Sequence, residues 1–415
     1  MKRRSPLRSA ALLAVGCAAC GSSSGSSART DGGTTSSLEA GPDPPVPERD
    51  ASCGDIETDP DNCGGCGIRC DGGLCVGGVC SAPFPSVLVS GQVTPRGIVI
   101  DDLNVYWIEQ GVPQPSGANR VTQVMKCAKS GCGNMPAVLA SGSWAGATRL
   151  ALNGDTLYWA TQNQVLSCAT AGCPTGPTVL STSALTPTDI AVDTTGIYVG
   201  DSNQNELLMF PLAGSMSPTV LWRSPAVVAT LDGGVVSASM SSYSPPLAIA
   251  LDGATAYFGT TGVSLVSCSP TGCANLVVGG TPTSVDVAGG VVYVGTQAQQ
   301  SPGAIASCPE ANCTAGLTLL TTRLSYCAGM AVDATSVYFT DLGSSGSEGG
   351  TIFSGSGRVE KCPIAGCRGN PTLVAAFVNF PQQIAVDDTS VYWTDFGSST
   401  DPNATEDGRV MTALK

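Results

Sequence analysis

The sequence predicts an all-β chain: a seven-bladed β-propeller closed by an N-terminal strand and preceded by a small disulfide-rich module. Three observations carry this. Seven of the nine tyrosines (Tyr106, Tyr158, Tyr198, Tyr257, Tyr293, Tyr338 and Tyr392) occupy one position of one repeated pattern, 36 to 59 residues apart. In strand-type residues, that period marks propeller blades. Each tyrosine follows a short apolar run that usually ends in Asp, as in Ile384-Ala385-Val386-Asp387 before Val391-Tyr392-Trp393. Finally, only 12% of residues are charged and 52 are glycine, which suits short strands joined by tight turns.

Composition removes several chemistries. The chain has no histidine, so Ser-His-Asp triads, His-ligated metals and c-type haem attachment have nothing to build on. The net charge is −13, and loss of Lys2, Arg3, Arg4 and Arg8 with an export signal would bring it to −17. Such a chain repels nucleic acid and anionic lipid. No nucleic-acid partner is expected, and a membrane is met only through a lipid anchor.

Residues 1–16 read as a signal peptide. The start is basic, Ala10 to Gly16 are small or apolar, and Cys17 follows. The stretch is too short to span a bilayer. Leu13-Ala14-Val15-Gly16-Cys17 resembles a bacterial lipobox, which implies lipidation of Cys17 and an outer-membrane or cell-surface lipoprotein. A signal cleaved without lipidation would leave a periplasmic or secreted protein instead. Residues 17–50 are rich in Ser, Gly, Thr and Pro. They lack the apolar content to fold and are expected to form a flexible tether.

Residues 51–82 contain Cys53, Cys63, Cys66, Cys70, Cys75 and Cys80 and almost no apolar side chains. So small a unit needs cross-links in place of a core, and three disulfides of open connectivity are expected. Its Cys63-Gly64-Gly65-Cys66-Gly67-Ile68-Arg69-Cys70 run resembles the CGxCGxxC modules of plant stigma-specific cysteine-rich proteins and of exported soil-bacterial proteins. The resemblance implies a small extracellular module and no activity.

Residues 84–415 hold the blades. Within 329–377 the inner strand is expected at Met330 to Asp333 and the second at Val337 to Thr340. The third follows at Arg358 to Lys361 and the outer one at Pro371 to Ala375. The outer strand recurs at Pro136-Ala137-Val138-Leu139, Pro177-Thr178-Val179-Leu180 and Pro218-Thr219-Val220-Leu221. Proline at the start of an edge strand forfeits no ladder bond. One more copy, Pro85-Ser86-Val87-Leu88, precedes the first inner strand, and the last repeat stops after its third strand. The N-terminal strand therefore completes the last blade and removes an open sheet edge.

Cysteines recur with the blades. The pairs Cys127 and Cys132, Cys168 and Cys173, Cys268 and Cys273, Cys308 and Cys313, and Cys362 and Cys367 share one spacing. Each is expected just after a third strand, where a turn brings the two Cα atoms into bridging range. Blades three and seven lack both members together, as local pairing requires. Each short bridge should stabilise by about 2 kcal/mol, and disulfides fit an exported chain. Cys327 is left as a free thiol, expected to be buried near the inner strand of blade six.

Val391-Tyr392-Trp393-Thr394-Asp395 and Val337-Tyr338-Phe339-Thr340-Asp341 resemble the YWTD repeats of lipoprotein-receptor propellers. Ile197-Tyr198-Val199-Gly200-Asp201-Ser202-Asn203 resembles an NHL repeat. The resemblance implies a propeller of binding or scaffolding type, although receptor YWTD propellers have six blades and only blades six and seven here end in Thr-Asp. The repeat tyrosines are expected to pack between blades. The Asp after each first strand should bond its own turn backbone. Asp201-x-Asn203-x-Asn205 lacks the Gly and terminal Glu of a calcium loop and reads as a blade turn.

Loops after the second and fourth strands share one face. Those after the second strand are expected to be long in blades five, six, seven and one and short in two and four. The longest run from Asp341 to Gly357 and from Asp395 to Gly408. They carry Glu109, Asp341, Glu348, Asp395, Asp401, Glu406 and Asp407, an acidic arc suited to binding. A protein or polysaccharide of the envelope is the expected partner, and Ca²⁺ is the one cofactor such loops could hold. The channel mouth is expected to be lined by Gly97, Arg149, Asp189, Ala248, Ser284, Gly329 and Gln383, with Arg149 as partner of the single carboxylate. A carboxylate- or metal-dependent, lactonase-like hydrolase would want more oxygen ligands and a second titratable group. The expected function is therefore non-enzymatic binding or scaffolding. A lactonase-like hydrolase and a purely structural or adhesive surface module are the alternatives.

Overall fold

A computed structural model describes residues 56–57, 59, 62–65, 75–76, 78–80, 85–112, 121–214, 217–224, 227–228, 239–240, 245–261, 264–277, 280–297, 303–343, 355–397 and 407–415. The chain divides into Met1–Ala51 and Ser52–Lys415. The first unit, with the signal, Cys17 and the tether, lies outside the described residues.

Seven four-stranded antiparallel sheets form the blades. Blade one comprises Pro95–Ile100, Asn104–Val112, Val121–Ala128 and Ala137–Gly142. Blade two comprises Ala151–Asn153, Thr156–Ala160, Val165–Ala169 and Thr178–Ser181. Blade three follows with Pro187–Val192, Ile197–Asp201, Glu206–Phe210 and Thr219–Arg223, and blade four with Pro246–Asp252, Thr255–Thr260, Ser264–Ser269 and Gly272–Val277. Blade five is Thr281–Ala288, Val291–Gln297, Gly303–Pro309 and Thr318–Leu324, and blade six is Cys327–Val332, Ser336–Asp341, Gly357–Pro363 and Thr372–Val378. Blade seven takes Pro381–Val386, Ser390–Asp395 and Gly408–Leu414 from the chain's end and Ser86–Gln92 from before blade one. The expected closure is therefore present, with Ser86 opposite Thr412 and Gln92 opposite Gly408.

The core is seven interfaces, one between each pair of neighbouring blades. On a strand, successive side chains point to opposite faces, so the repeat tyrosine and the residue after it serve different neighbours. Tyr106 packs with Trp159 and Leu157 of blade two. Tyr338 packs with Trp393 of blade seven, and Tyr392 with Trp107 of blade one. The same step places Tyr198 beside Phe258 and Tyr293 beside Phe339. Blade two meets blade three through Tyr158 and Val199, and blade four meets blade five through Tyr257 and Val294.

All five expected Cys pairs are disulfides, with Cα–Cα distances from 4.1 to 5.5 Å. The first cysteine of each lies within the third strand, because these ladders run further than the sequence pattern shows. Cys327 is a buried free thiol on the inner strand of blade six. The prolines of the outer-strand motif sit one residue before their strands, as Pro85 does before Ser86 and Pro371 before Thr372. Among the described residues the helical content is one 3-10 segment, Glu310–Ala315. No described helix is long and apolar enough to cross a membrane.

In the small module, Cys63 is buried and disulfide-bonded. Cys75 and Cys80 are backbone partners in a hairpin of two-residue strands. Cys53, Cys66 and Cys70 lie outside the described residues. Between blades three and four the chain makes a second small hairpin, Val227–Val228 with Ser239–Met240.

Candidate functional site

Two regions share one face of the ring: the channel mouth and the loops after the second strands. The mouth is shaped by a register shift at the start of six inner strands, between Arg96 and Ile98, Pro187 and Asp189, Pro246 and Ala248, Pro282 and Ser284, Cys327 and Gly329, and Pro381 and Ile384. Bulges concentrate at barrel rims and beside sites because they re-aim side chains. Here they free Thr188 and Thr283 to clip adjacent blades. Thr283 Oγ1 donates to Cys327 O at 2.6 Å, and Thr188 Oγ1 donates to Pro246 O. Of the mouth residues read from sequence, Gly97, Arg149, Asp189, Ala248, Ser284 and Gln383 line the channel or its mouth, and all seven except Arg149 lie inside the inner strands rather than before them.

The channel encloses about 530 Å³ between the inner strands. Two carboxylates line it: Asp189, the single one expected at the mouth, and Asp286 below it. Asp189 keeps 17% of its side chain open to the channel. Its Oδ1 accepts the Ile190 amide at 2.9 Å and its Oδ2 accepts the Ile249 amide at 2.8 Å. Burial pushes its carboxyl up, against the pull of Arg149, whose Nε is 3.9 Å from Oδ1. Asp286 repeats the arrangement one layer deeper. It accepts the Val287 amide at 2.8 Å and the Val332 amide at 2.9 Å, and burial raises its carboxyl to about 6. Each carboxylate thus staples its own inner strand to that of the next blade. Among the described residues no cluster of three acidic or cysteine side chains could hold a metal ion.

At the mouth, a cavity of about 270 Å³ is lined by Arg96, Arg149, Tyr326, Gln382 and Gln383 among others. The Arg96 guanidinium stacks over the Phe396 ring at 4.4 Å. Burial, and then the charge of Arg149, lower its pKa to about 10. Its Nε is buried without a hydrogen-bond partner.

The fold of this chain is shared with solved propellers of different biology. A streptogramin B lyase matches at 13% identity with a TM-score of 0.50, covering 80% of this chain and 97% of that one. The WD40 propeller domain of Doa1 matches at 8% identity and a TM-score of 0.50, covering 79% and 96%. BamB from Moraxella catarrhalis gives 10% identity and a TM-score of 0.48, covering 81% and 100%. At such identities the first two likenesses show the fold alone. No protein-family model matches the chain, and no curated protein does.

On the loop face the acidic residues divide by position. Asp341 and Asp395 end their second strands, Glu109 lies inside its own, and all three are buried, at 7%, 4% and 5% exposure. They hold backbone amides of the segment entering the same blade. Glu109 Oε1 accepts the Val93 amide at 2.8 Å. Asp341 Oδ1 accepts those of Ser325 and Tyr326 at 3.1 and 3.0 Å. Asp395 accepts those of Gly397 and Asn379. Asp201 does the same for Thr186 at 2.7 Å, so its turn is a blade latch. Burial raises Asp395 to about 6, with Arg409 opposing and Asp407 adding to the rise. Asp407 is half-buried beside it. Glu348, Asp401 and Glu406 lie outside the described residues. Blade five departs from expectation. Its second and third strands reach Gln297 and start again at Gly303, so its loop is about as short as that of blade two, and the long loops belong to blades six, seven and one.

Proposed function

We propose that this protein is an exported, lipid-anchored, non-enzymatic binding or scaffold protein that holds a protein partner with the loops after the second strand of blades six, seven and one. The observation that carries this is the asymmetry of one face. Loops 342–356, 396–407 and 113–120 stand on neighbouring blades, whereas blades two to five use only 161–164, 202–205, 261–263 and 298–302. Long loops rooted on a rigid ring are where recognition concentrates. Glu109, Asp341 and Asp395 fix the roots of these loops. Glu348, Asp401, Glu406 and Asp407 supply charge that favours a cationic protein surface, and Ca²⁺ or a Ca²⁺-bridged polysaccharide would use the same carboxylates. Export and anchoring rest on the lipobox-like sequence at Cys17 and on the five blade disulfides.

The test captures partners from an envelope extract with the intact chain and with a variant whose loops 344–354 and 398–406 are cut to the length of the blade-two loop. Capture should be lost and thermal unfolding unchanged. Capture that survives the cut would move the site off this face. Binding should also weaken with added salt, since exposed charges are screened within about 8 Å at physiological ionic strength. Mature protein should fractionate with membranes, and Cys17→Ala should release it; a variant equally membrane-bound would refute the anchor.

A further inference from the structure

We propose that the channel mouth is a carboxylate-binding site, with Arg96 and Arg149 as the residues that hold the ligand. This is independent of the loop reading.

Two guanidinium groups border one cavity of about 270 Å³, and the acid beside them is already engaged. Both oxygens of Asp189 accept backbone amides. Its approach to Arg149 Nε, at 3.9 Å, is too long for a hydrogen bond. Asp189 thus offsets one positive charge and leaves the other, which suits a monoanion. A dianion would meet Asp189 as a like charge.

The hydrogen-bond inventory points the same way. Arg96 Nε is buried with no partner, and a buried donor without an acceptor marks a place where water or an ion belongs. Nearness to Arg149 is already felt at Arg96, whose proton affinity burial and that second charge reduce. Two like charges facing one cavity are relieved by an anion between them. Contact with the Phe396 ring restrains the Arg96 fork, and a restrained planar fork can match a carboxylate edge to edge. Tyr326 adds a hydroxyl to the same wall.

A carboxylate could arrive on a free small acid or at the C-terminus of a peptide. The full-length protein should be titrated calorimetrically with acetate, with lactate, with inorganic phosphate, and with one short peptide bearing either a free or an amidated C-terminus. The expected result is that a carboxylate probe binds and raises Tm, the amidated peptide does not bind, and Arg96→Gln and Arg149→Gln each weaken binding about tenfold or more. Binding of acetate or lactate would identify a free acid as the source. Binding confined to the free-ended peptide would identify a chain terminus. Arg149→Lys, which keeps the charge and loses the fork, should fall between wild type and Arg149→Gln, and it serves if either Gln variant fails to fold. The proposal is overturned if no carboxylate binds at about 10 mM, if phosphate binds and carboxylates do not, or if the variants bind as the wild type does.

Discussion

Trp107 and Tyr106 are adjacent in sequence and serve opposite interfaces. Trp107 is fully buried against blade seven, and its Nε1 donates to Gln92 Oε1 at 3.0 Å. Trp107→Ala should cost about 3–5 kcal/mol in chemical denaturation. Tyr106→Phe loses the 2.6 Å bond to Asp101 Oδ2 but keeps the buried ring, and should cost about 1 kcal/mol. The carboxylates set a pH profile. Burial opposes ionisation of Asp387 and Asp333, but Lys129 and Lys415, at 2.7 and 2.6 Å, with turn amides, outweigh it and hold both carboxyls well below the usual range. Their contribution is complete above about pH 4 and is lost as pH falls further. Asp286 and Asp395 act in the opposite sense. Their carboxyls lie at about 6 in the fold against an ordinary 3.8, so the folded state takes up protons and stability falls from about pH 4 to about pH 6. Tm should therefore peak near pH 4, and Asp395→Asn should flatten the fall above it; an equally steep fall in that variant would remove Asp395 from the account. The repeat tyrosines were legible because their period is long and regular. Asp286 was within reach, since it shares strand parity with Ser284. Arg96 was not, because it lies where a bulge breaks the alternation that sequence reading depends on.

At the level of elements, the same Cys-x4-Cys spacing is built in different ways. In blade four, Cys268 and Cys273 face each other directly across a tight hairpin. In blade five, Cys313 sits in the 3-10 segment Glu310–Ala315. What is common is a short closed loop at the end of the third strand, so replacing Cys168 and Cys173 together by Ser should lower stability by about 2 kcal/mol without changing the fold. Non-reducing peptide mapping should return each pair as an internal bridge. A link from Cys127 to another blade would contradict the structure. The spacing made these bridges readable in advance, because locality is written in the sequence. The length of the blade-five loop was not readable. Thr296 and Gln297 extend its second strand by pairing with the inner strand, and a Gly/Ser/Gln-rich stretch does not show where a ladder stops.

For the whole molecule, the N-terminal strand decides completeness. Ser86–Gln92 pairs along Gly408–Leu414, and Val89 is fully buried with Tyr392 and Trp107. Lys129 of blade one also reaches Asp387 of blade seven, so the closing interface has an ionic as well as an apolar part. Deleting 85–92 should expose a sheet edge and lower Tm sharply, whereas deleting 21–50 should leave Tm unchanged; equal stability of the two variants would argue against closure by this strand. Seven blades and their closure could be counted from repeats, since the strand pattern recurs seven times and the outer strand missing from the last repeat stands before the first. The channel chemistry could not, because it depends on which side chains converge across blades far apart in the chain. The closure also has a consequence in time. Ser86 and Thr412 meet across nearly the whole propeller sequence, and contacts between distant segments form late because the chain must first be brought together. During synthesis, the first strand emerges long before its partner exists. It must wait unpaired, a state in which nascent chains aggregate, so final folding is gated by arrival of the last strand. A circular permutant that joins the strand at 85–92 directly behind residue 415 would make that pairing local, and it should fold faster than the parent at similar stability.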